Sequence, residues 1–294
     1  MKVLDALKIV WRSILTVNEE KLTFYRRNRQ LVENKKWDYL FRVSRNKGVN
    51  LLFFDSEKEL LWLEKDGVQI VTNDDYGIFI EIMIDKAYML PPQLTGDFCV
   101  FDVGMNRGFA SLFFANYSNC MKVIGFELDD TIYEKALQNF ALNKLLSKKI
   151  VPYNFGLWSE DGQVDICQCK ADGNTGIESC IENQPHLTNK MQDKKLKAIT
   201  KAPVKNSSEV LAPMLSEMEP AVKKVLKIDI EGAEYAVFEN LHKNGLLKQF
   251  DVIIGEAHNG TEGLEKYLSD FVCVNKNKLS NLLITFCYVN KRIV

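Results

Sequence analysis

Val100-Phe101-Asp102-Val103-Gly104-Met105-Asn106-Arg107-Gly108 reads as a buried strand that breaks into a tight turn and then opens a helix. The two glycines allow the sharp turn and let a ligand approach the backbone closely. The helix that follows offers free N–H groups at its N-terminus. A second apolar strand, Lys122-Val123-Ile124-Gly125-Phe126, ends at Glu127. An acid there is placed to accept hydrogen bonds from two ribose hydroxyls, so the pattern predicts a pocket for a nucleoside-containing ligand.

The same alternation continues along the chain. Strands are expected over 98–103, 122–127, 149–155, 223–229, 250–256 and 283–289, with helices over 108–117, 130–145, 208–218, 233–246 and 261–269 between them. This predicts an α/β fold, a doubly wound Rossmann-like parallel sheet with right-handed crossovers. Ligands in such a sheet lie over the carboxyl ends of the strands, where strand order reverses.

Residues 1–95 read as an N-terminal helical and β-hairpin extension, and residues 96–294 as the main domain. Val3, Leu4, Leu7, Val10, Trp11, Ile14 and Leu15 recur at helical spacing. Short strands are expected over 50–54, 59–64 and 68–72, and a connecting helix or strand over 74–90, before Pro91, Pro92 and Gly96 punctuate the chain. The polar, lysine-rich segment 168–203, with Gly173, Gly176, Pro185 and Pro203, reads as an irregular excursion: a substrate loop, a lid or disorder.

Apolar residues make up 46% of the 294 and charged residues 26%, an ordinary globular balance. No stretch approaches the roughly 18 uncharged apolar residues of a membrane-crossing helix. Seven cysteines without a CxxC pair do not form a disulfide framework, which points to a reducing compartment, the cytoplasm. The net charge of −1 hides an asymmetry: residues 1–50 carry 12 Lys+Arg against 5 Asp+Glu, or +7, which leaves −8 on the remainder. The basic leader reads as a solvated or dimer-facing helical face, with peripheral membrane contact or homo-oligomerisation as the other uses. Nucleic-acid binding is not expected of an acidic main domain.

The order Asp102-x-Gly104-x-Asn106-x-Gly108 sharpens the cofactor reading. A nicotinamide dinucleotide would bring a pyrophosphate to the turn, and Asp102 would repel it. S-adenosylmethionine (SAM) carries no phosphate, and an acid there can orient its ammonium group or a water. The other reading of Asp102 is a side chain that caps the turn.

Four stretches occur in an order that resembles the FkbM-type family of class I SAM-dependent methyltransferases. They are Phe101-Asp102-Val103-Gly104-Met105-Asn106-Arg107-Gly108, then Gly125-Phe126-Glu127, then Leu226-Lys227-Ile228-Asp229-Ile230-Glu231-Gly232-Ala233-Glu234, then Gly255-Glu256-Ala257-His258. The similarity spans roughly residues 70 to 290; Met105 stands where many members have alanine, and 168–203 does not align. The resemblance implies O-methylation of a hydroxyl on a sugar or related small-molecule or glycan intermediate. It also implies that Asp102, Gly104, Met105, Asn106, Gly108, Glu127 and Asp229 bind cofactor, with Tyr88 and Glu81 packing over it. Trp158 is expected at the end of the third strand, either bordering the adenine or in the core.

Asp229, Glu231, Glu256 and His258 are the candidates at the reacting end. A hydroxyl is a poor nucleophile until a base takes its proton or a metal lowers its pKa. His258 is the base candidate, because it follows a strand end with Glu256 two residues before it; a polar loop histidine is the equal alternative. Glu234 is expected to cap or brace the helix that begins at Gly232. Asp229, Glu256 and His258 are also of suitable type for a divalent cation, although their spacing does not demand one. A nicotinamide-dependent dehydrogenase and a non-catalytic relic of the same fold are the rival functions.

Overall fold

The computed structural model describes residues 47–55, 58, 60–72, 76–170, 177–181, 196–280 and 283–294. The amphipathic helix read over 3–15 and the basic segment that follows it lie outside the described residues. The chain divides into two compact units, Met1–Gly67 with Val71–Asn73, and Val68–Ile70 with Asp74–Val294. Residues 74–95 therefore belong to the second unit.

In the first unit, β1 (Val49–Asp55) and β2 (Leu60–Lys65) pair antiparallel, with an irregularity between Leu51 and Phe53. Leu61 and Leu63 are buried between half-buried neighbours, the period of two expected of a strand with one covered face. The next strand, β3 (Val68–Thr72), starts in the second unit, where Val68 and Ile70 are fully buried. Gln69 exchanges backbone hydrogen bonds with the Asn143 amide, 2.9 and 2.6 Å. The chain then enters α1 (Tyr76–Phe79), which widens into a π-helical turn over Ile80–Ile84.

The second unit is built on a seven-stranded sheet. Its central strand is β4 (Phe98–Val103), buried along its whole length. After α2 (Phe109–Ala115), β5 (Cys120–Phe126) pairs parallel to β4. After α3 (Asp130–Leu142), capped by the Asp129 carboxylate, β6 (Ile150–Tyr153) pairs parallel to β5. The chain then leaves for a four-stranded sheet of β7 (Gly156–Trp158), β8 (Gly162–Lys170), β9 (Ile177–Ile181) and β10 (Leu196–Asn206), in the order β7-β10-β8-β9. It returns through α4 (Ser207–Ser216) to β11 (Lys223–Ile228), on the other side of β4. Then follow α5 (Glu234–Lys243), β12 (Val252–Ala257), α6 (Glu262–Glu265), β13 (Phe271–Lys278) and β14 (Ile284–Asn290). The order is β13-β14-β12-β11-β4-β5-β6, so strand order reverses between β4 and β11. Among the described residues no helix is long and apolar enough to cross a membrane.

Three sequence expectations change. The sheet is mixed: β14 runs antiparallel to β12, and β13 antiparallel to β14. Only five residues separate β13 from β14, and a short hairpin cannot join parallel strands. The helix expected over 261–269 ends at Glu265, and β13 follows it unannounced. Seven of the eight β13 residues are exposed, so it has no alternating apolar pattern to read. The described residues of 168–203 lie on β8, β9 and β10 rather than in irregular chain.

Candidate active site

The turn after β4 runs through left-handed backbone at Gly104 (φ 81°), Asn106 (φ 50°) and Gly108 (φ 78°). A Cβ on Gly104 would lie 2.0 Å from the Asp229 carbonyl oxygen, and one on Gly108 would lie 2.4 Å from the Phe140 ring. Both glycines are thus required twice, by conformation and by packing. The Gly104 and Met105 N–H groups both donate to the Phe126 carbonyl, 3.0 and 2.9 Å, which fastens the turn to the end of β5. The Met105 side chain is buried over Gly125, whose added Cβ would meet its sulfur at 2.5 Å.

Glu127 sits at that strand end with both carboxylate oxygens engaged. Oε2 accepts from the Asn106 N–H at 3.0 Å and Oε1 from the Asp129 N–H at 2.9 Å. Burial pushes its carboxyl up to about 7, against the pull of those two hydrogen bonds. Asp102 is fully buried: Oδ2 accepts from the Ser111 hydroxyl at 2.6 Å, and Oδ1 lies 3.1 Å from the Lys227 ammonium.

Across the switch point, the end of β11 carries Asp229, and the chain turns through left-handed Glu231 (φ 52°) and Gly232 (φ 104°). Glu234, at the first position of α5 and wholly buried, does more than brace its helix. Its Oε1 accepts from the Ile230 and Gly232 N–H groups at 3.0 and 3.2 Å, and lies 2.8 Å from His258 Nδ1. With Nδ1 directed at Glu234, His258 Nε2 faces Glu231, Asp229 and Glu256 at 3.5, 3.8 and 4.0 Å. Burial opposes charge on the imidazole, but the Glu234 hydrogen bond and the fields of Glu234, Glu231 and Asp229 outweigh it. Its pKa rises to about 10.

Tyr88 and Glu81 reach the same place from the segment ahead of β4. The buried Tyr88 hydroxyl donates to Asp229 Oδ2 at 3.0 Å. Burial first, then the charges of Asp229 and Glu256, hold its phenol protonated. Glu81, in the π-helical turn, shares a hydrogen bond with Glu256, whose carboxyl is raised by burial and by the charges of Asp229 and Glu81. One ligand atom each from Asp229, Glu256 and His258 falls within a 4.8 Å span, a donor set that suits a divalent cation. Trp158 lies on β7 opposite Asn206 in the four-stranded sheet.

The structure thus brings Asp229, Glu231, Glu256, His258, Tyr88 and Glu81 together on one side of the crevice. The turn from Asp102 to Gly108, with Glu127, forms the other side. Sequence reasoning gave no role to Lys227 or Ser111, and linked Glu234 to its helix but not to His258. A lysine between the apolar residues Leu226 and Ile228, two residues before Asp229, was the available signal.

The methyltransferase FkbM domain model matches residues 102–274, and the chain belongs to that family. No curated protein matches it. Among solved structures, it is similar to a protein of the NADB-Rossmann superfamily from Streptococcus agalactiae. That likeness has 15% identity, covers 69% of each chain and gives a TM-score of 0.38. It is also similar to the methyltransferase FkbM from Methylobacillus flagellatus, at 16% identity over 69% of this chain and 46% of that one, with a TM-score of 0.43.

Proposed function

We propose that this methyltransferase uses SAM and methylates a hydroxyl on a sugar or a related small-molecule or glycan intermediate. One observation carries the choice of cofactor. The Gly104–Gly108 turn meets the Glu127 carboxylate at the Asn106 N–H and Asp229 at Gly104, while Lys227 is buried with 2% of its side chain accessible. That field opposes a pyrophosphate and favours a cation, which weighs against the nicotinamide dehydrogenase. SAM, when bound, supplies a methyl group on a positively charged sulfur. Glu127 accepts the ribose hydroxyls, the Gly104–Gly108 backbone carries the rest of the nucleoside, and Asp102 shapes the turn from below through Ser111 and Lys227.

At the reacting end, in-line geometry sets much of the rate. His258, charged at neutral pH and fixed by Glu234, orients the Asp229 and Glu231 carboxylates. The proton lost by the acceptor hydroxyl goes to one of these carboxylates. A second reading gives the space in front of His258 Nε2 to a divalent cation on Asp229, Glu256 and His258, supported by the 4.8 Å span of their ligand atoms. The buried, protonated thiols of Cys99, Cys120 and Cys287 support a reducing, cytoplasmic setting. Membrane or homo-oligomer contacts belong to the basic leader in this reading.

Calorimetry with SAM, its demethylated product S-adenosylhomocysteine and NAD tests the cofactor directly. Tight NAD binding without SAM binding would return the chain to the dehydrogenase reading. SAM binding with no transfer to any of a panel of sugar and natural-product hydroxyls would favour the relic. Melting temperatures with EDTA and after Mg²⁺ or Mn²⁺ add-back test the cation; unchanged values remove it.

A further inference from the structure

We propose that Lys227 is a positioning residue: it ties the cofactor turn to the strand end carrying Asp229, so that the two halves of the site keep one separation. The proposal rests on the SAM reading above. β11 and β4 are the neighbouring strands between which the order reverses, and Lys227 and Asp102 are register partners across them. The Lys227 ammonium donates to the Gly104 carbonyl at 2.7 Å, lies 3.1 Å from Asp102 Oδ1 and 3.8 Å from Asp229 Oδ2, and stands 5.3 Å from the Tyr88 ring centroid. Its contacts therefore come from both halves.

The surroundings argue against a merely stabilising pair. Val225, Leu226 and Ile228, on the same strand, are fully buried apolar residues. A buried ion pair is often no more stable than an apolar pair of the same volume. An ammonium, however, carries both a donor and a charge: here it donates to a turn carbonyl and lies in ion-pair range of a strand carboxylate and of the acid on the reacting side. Two further contacts lie on the same seam: the Asp229 N–H donates to the Val103 carbonyl at 3.1 Å, and Gly104 packs against the Asp229 backbone. A misplacement of about 1 Å can cost roughly a hundredfold in rate, so a rigid tie at this seam has catalytic value.

The test places Lys, Gln and Met at position 227 in an Asp102→Asn background, which removes the carboxylate that would otherwise be stranded. SAM and S-adenosylhomocysteine affinities are read by calorimetry beside melting temperatures. Melting temperatures are expected to stay close, while Lys227→Met binds SAM about tenfold more weakly, the weight of one buried hydrogen bond to a charged donor. Lys227→Gln, which keeps a donor for the Gly104 carbonyl, falls between. Equal SAM affinity across the three overturns the proposal; if the Met variant does not fold, the Lys–Gln comparison decides. Combining Lys227→Met with Asp229→Asn gives the second readout: a shared tie makes their effects on SAM affinity non-additive, and simple addition overturns it. Failure of the unsubstituted protein to bind SAM would instead defeat the underlying reading, before any variant is made.

Discussion

Replacing Glu127 by Gln probes the cofactor side with one atom exchanged. In the native protein both carboxylate oxygens accept backbone N–H groups, from Asn106 and Asp129. Gln offers one acceptor and one donor, so one of those N–H groups faces an NH2. The ribose also loses charge-assisted bonds worth about 1.5–3 kcal/mol, a SAM affinity loss of roughly 10- to 150-fold at pH 8. The pH profile separates this role from a general loosening of the turn. Because the Glu127 carboxyl is raised to about 7, protons compete with ribose below that pH. Native SAM affinity should fall about 25-fold between pH 7.5 and 5.5, following the ionised fraction. The unliganded protein should show the opposite trend in stability. An acid whose folded pKa lies above its unfolded value binds an extra proton when folded, so stability declines as pH rises from about 4.5 to 7. Calorimetric titration of SAM at half-unit pH intervals, on the native protein and Glu127→Gln, measures both effects. A native affinity flat across pH 5.5–7.5, or a variant that keeps the native slope, would refute a direct ribose contact.

Three further outcomes are expected. Gly104→Ala forces a Cβ to within 2.0 Å of the Asp229 carbonyl at φ 81°, and should destabilise by about 2–5 kcal/mol from strain and overpacking. Gly162→Ala, with nothing within 4 Å, is the control, and denaturant unfolding that shows equal effects contradicts the account. At Glu231 (φ 52°), Gly should be more stable than Ala by about 1 kcal/mol, or roughly 2–4 °C in melting temperature; an Ala variant at least as stable would show that the backbone is not strained. In EDTA-treated protein, Glu234→Gln should lower the His258 pKa from about 10 toward 6.5, followed by NMR of the imidazole C–H. A histidine with a raised folded pKa stabilises fully below pH 6.5 and loses that contribution as pH passes 10, so native stability should fall over that window and the variant's should fall less, since Glu231 and Asp229 remain.

The sheet core was legible because β4 and β12 are mostly apolar and do not alternate, each broken by a single acid near its end, the signature of strands covered on both faces. The turn was legible because its glycines have no substitutes in left-handed backbone against a neighbouring strand. β13 was not legible, since an edge strand exposed on both faces carries no pattern. The pairing of His258 with Glu234 joins the start of α5 to the chain just after β12, 24 residues apart, and only the adjacency of β11 and β12 reveals it. Glu81 and Tyr88 entered by family resemblance alone. Their convergence on Glu256 and Asp229 depends on the path of the π-helical turn that carries Glu81 and of the chain after it that carries Tyr88, which spacing along the chain does not encode.

The Asp102–Lys227 contact also bears on how the sheet assembles. β4 and β11 meet only after more than a hundred residues have intervened, and Asp102 and Lys227 are register partners that stand among buried apolar neighbours. A slip would turn each side chain to the opposite face and strand a carboxylate and an ammonium apart in the interior, at several kcal/mol each. The pair thus acts as a registration key, penalising misaligned intermediates before any ligand is present.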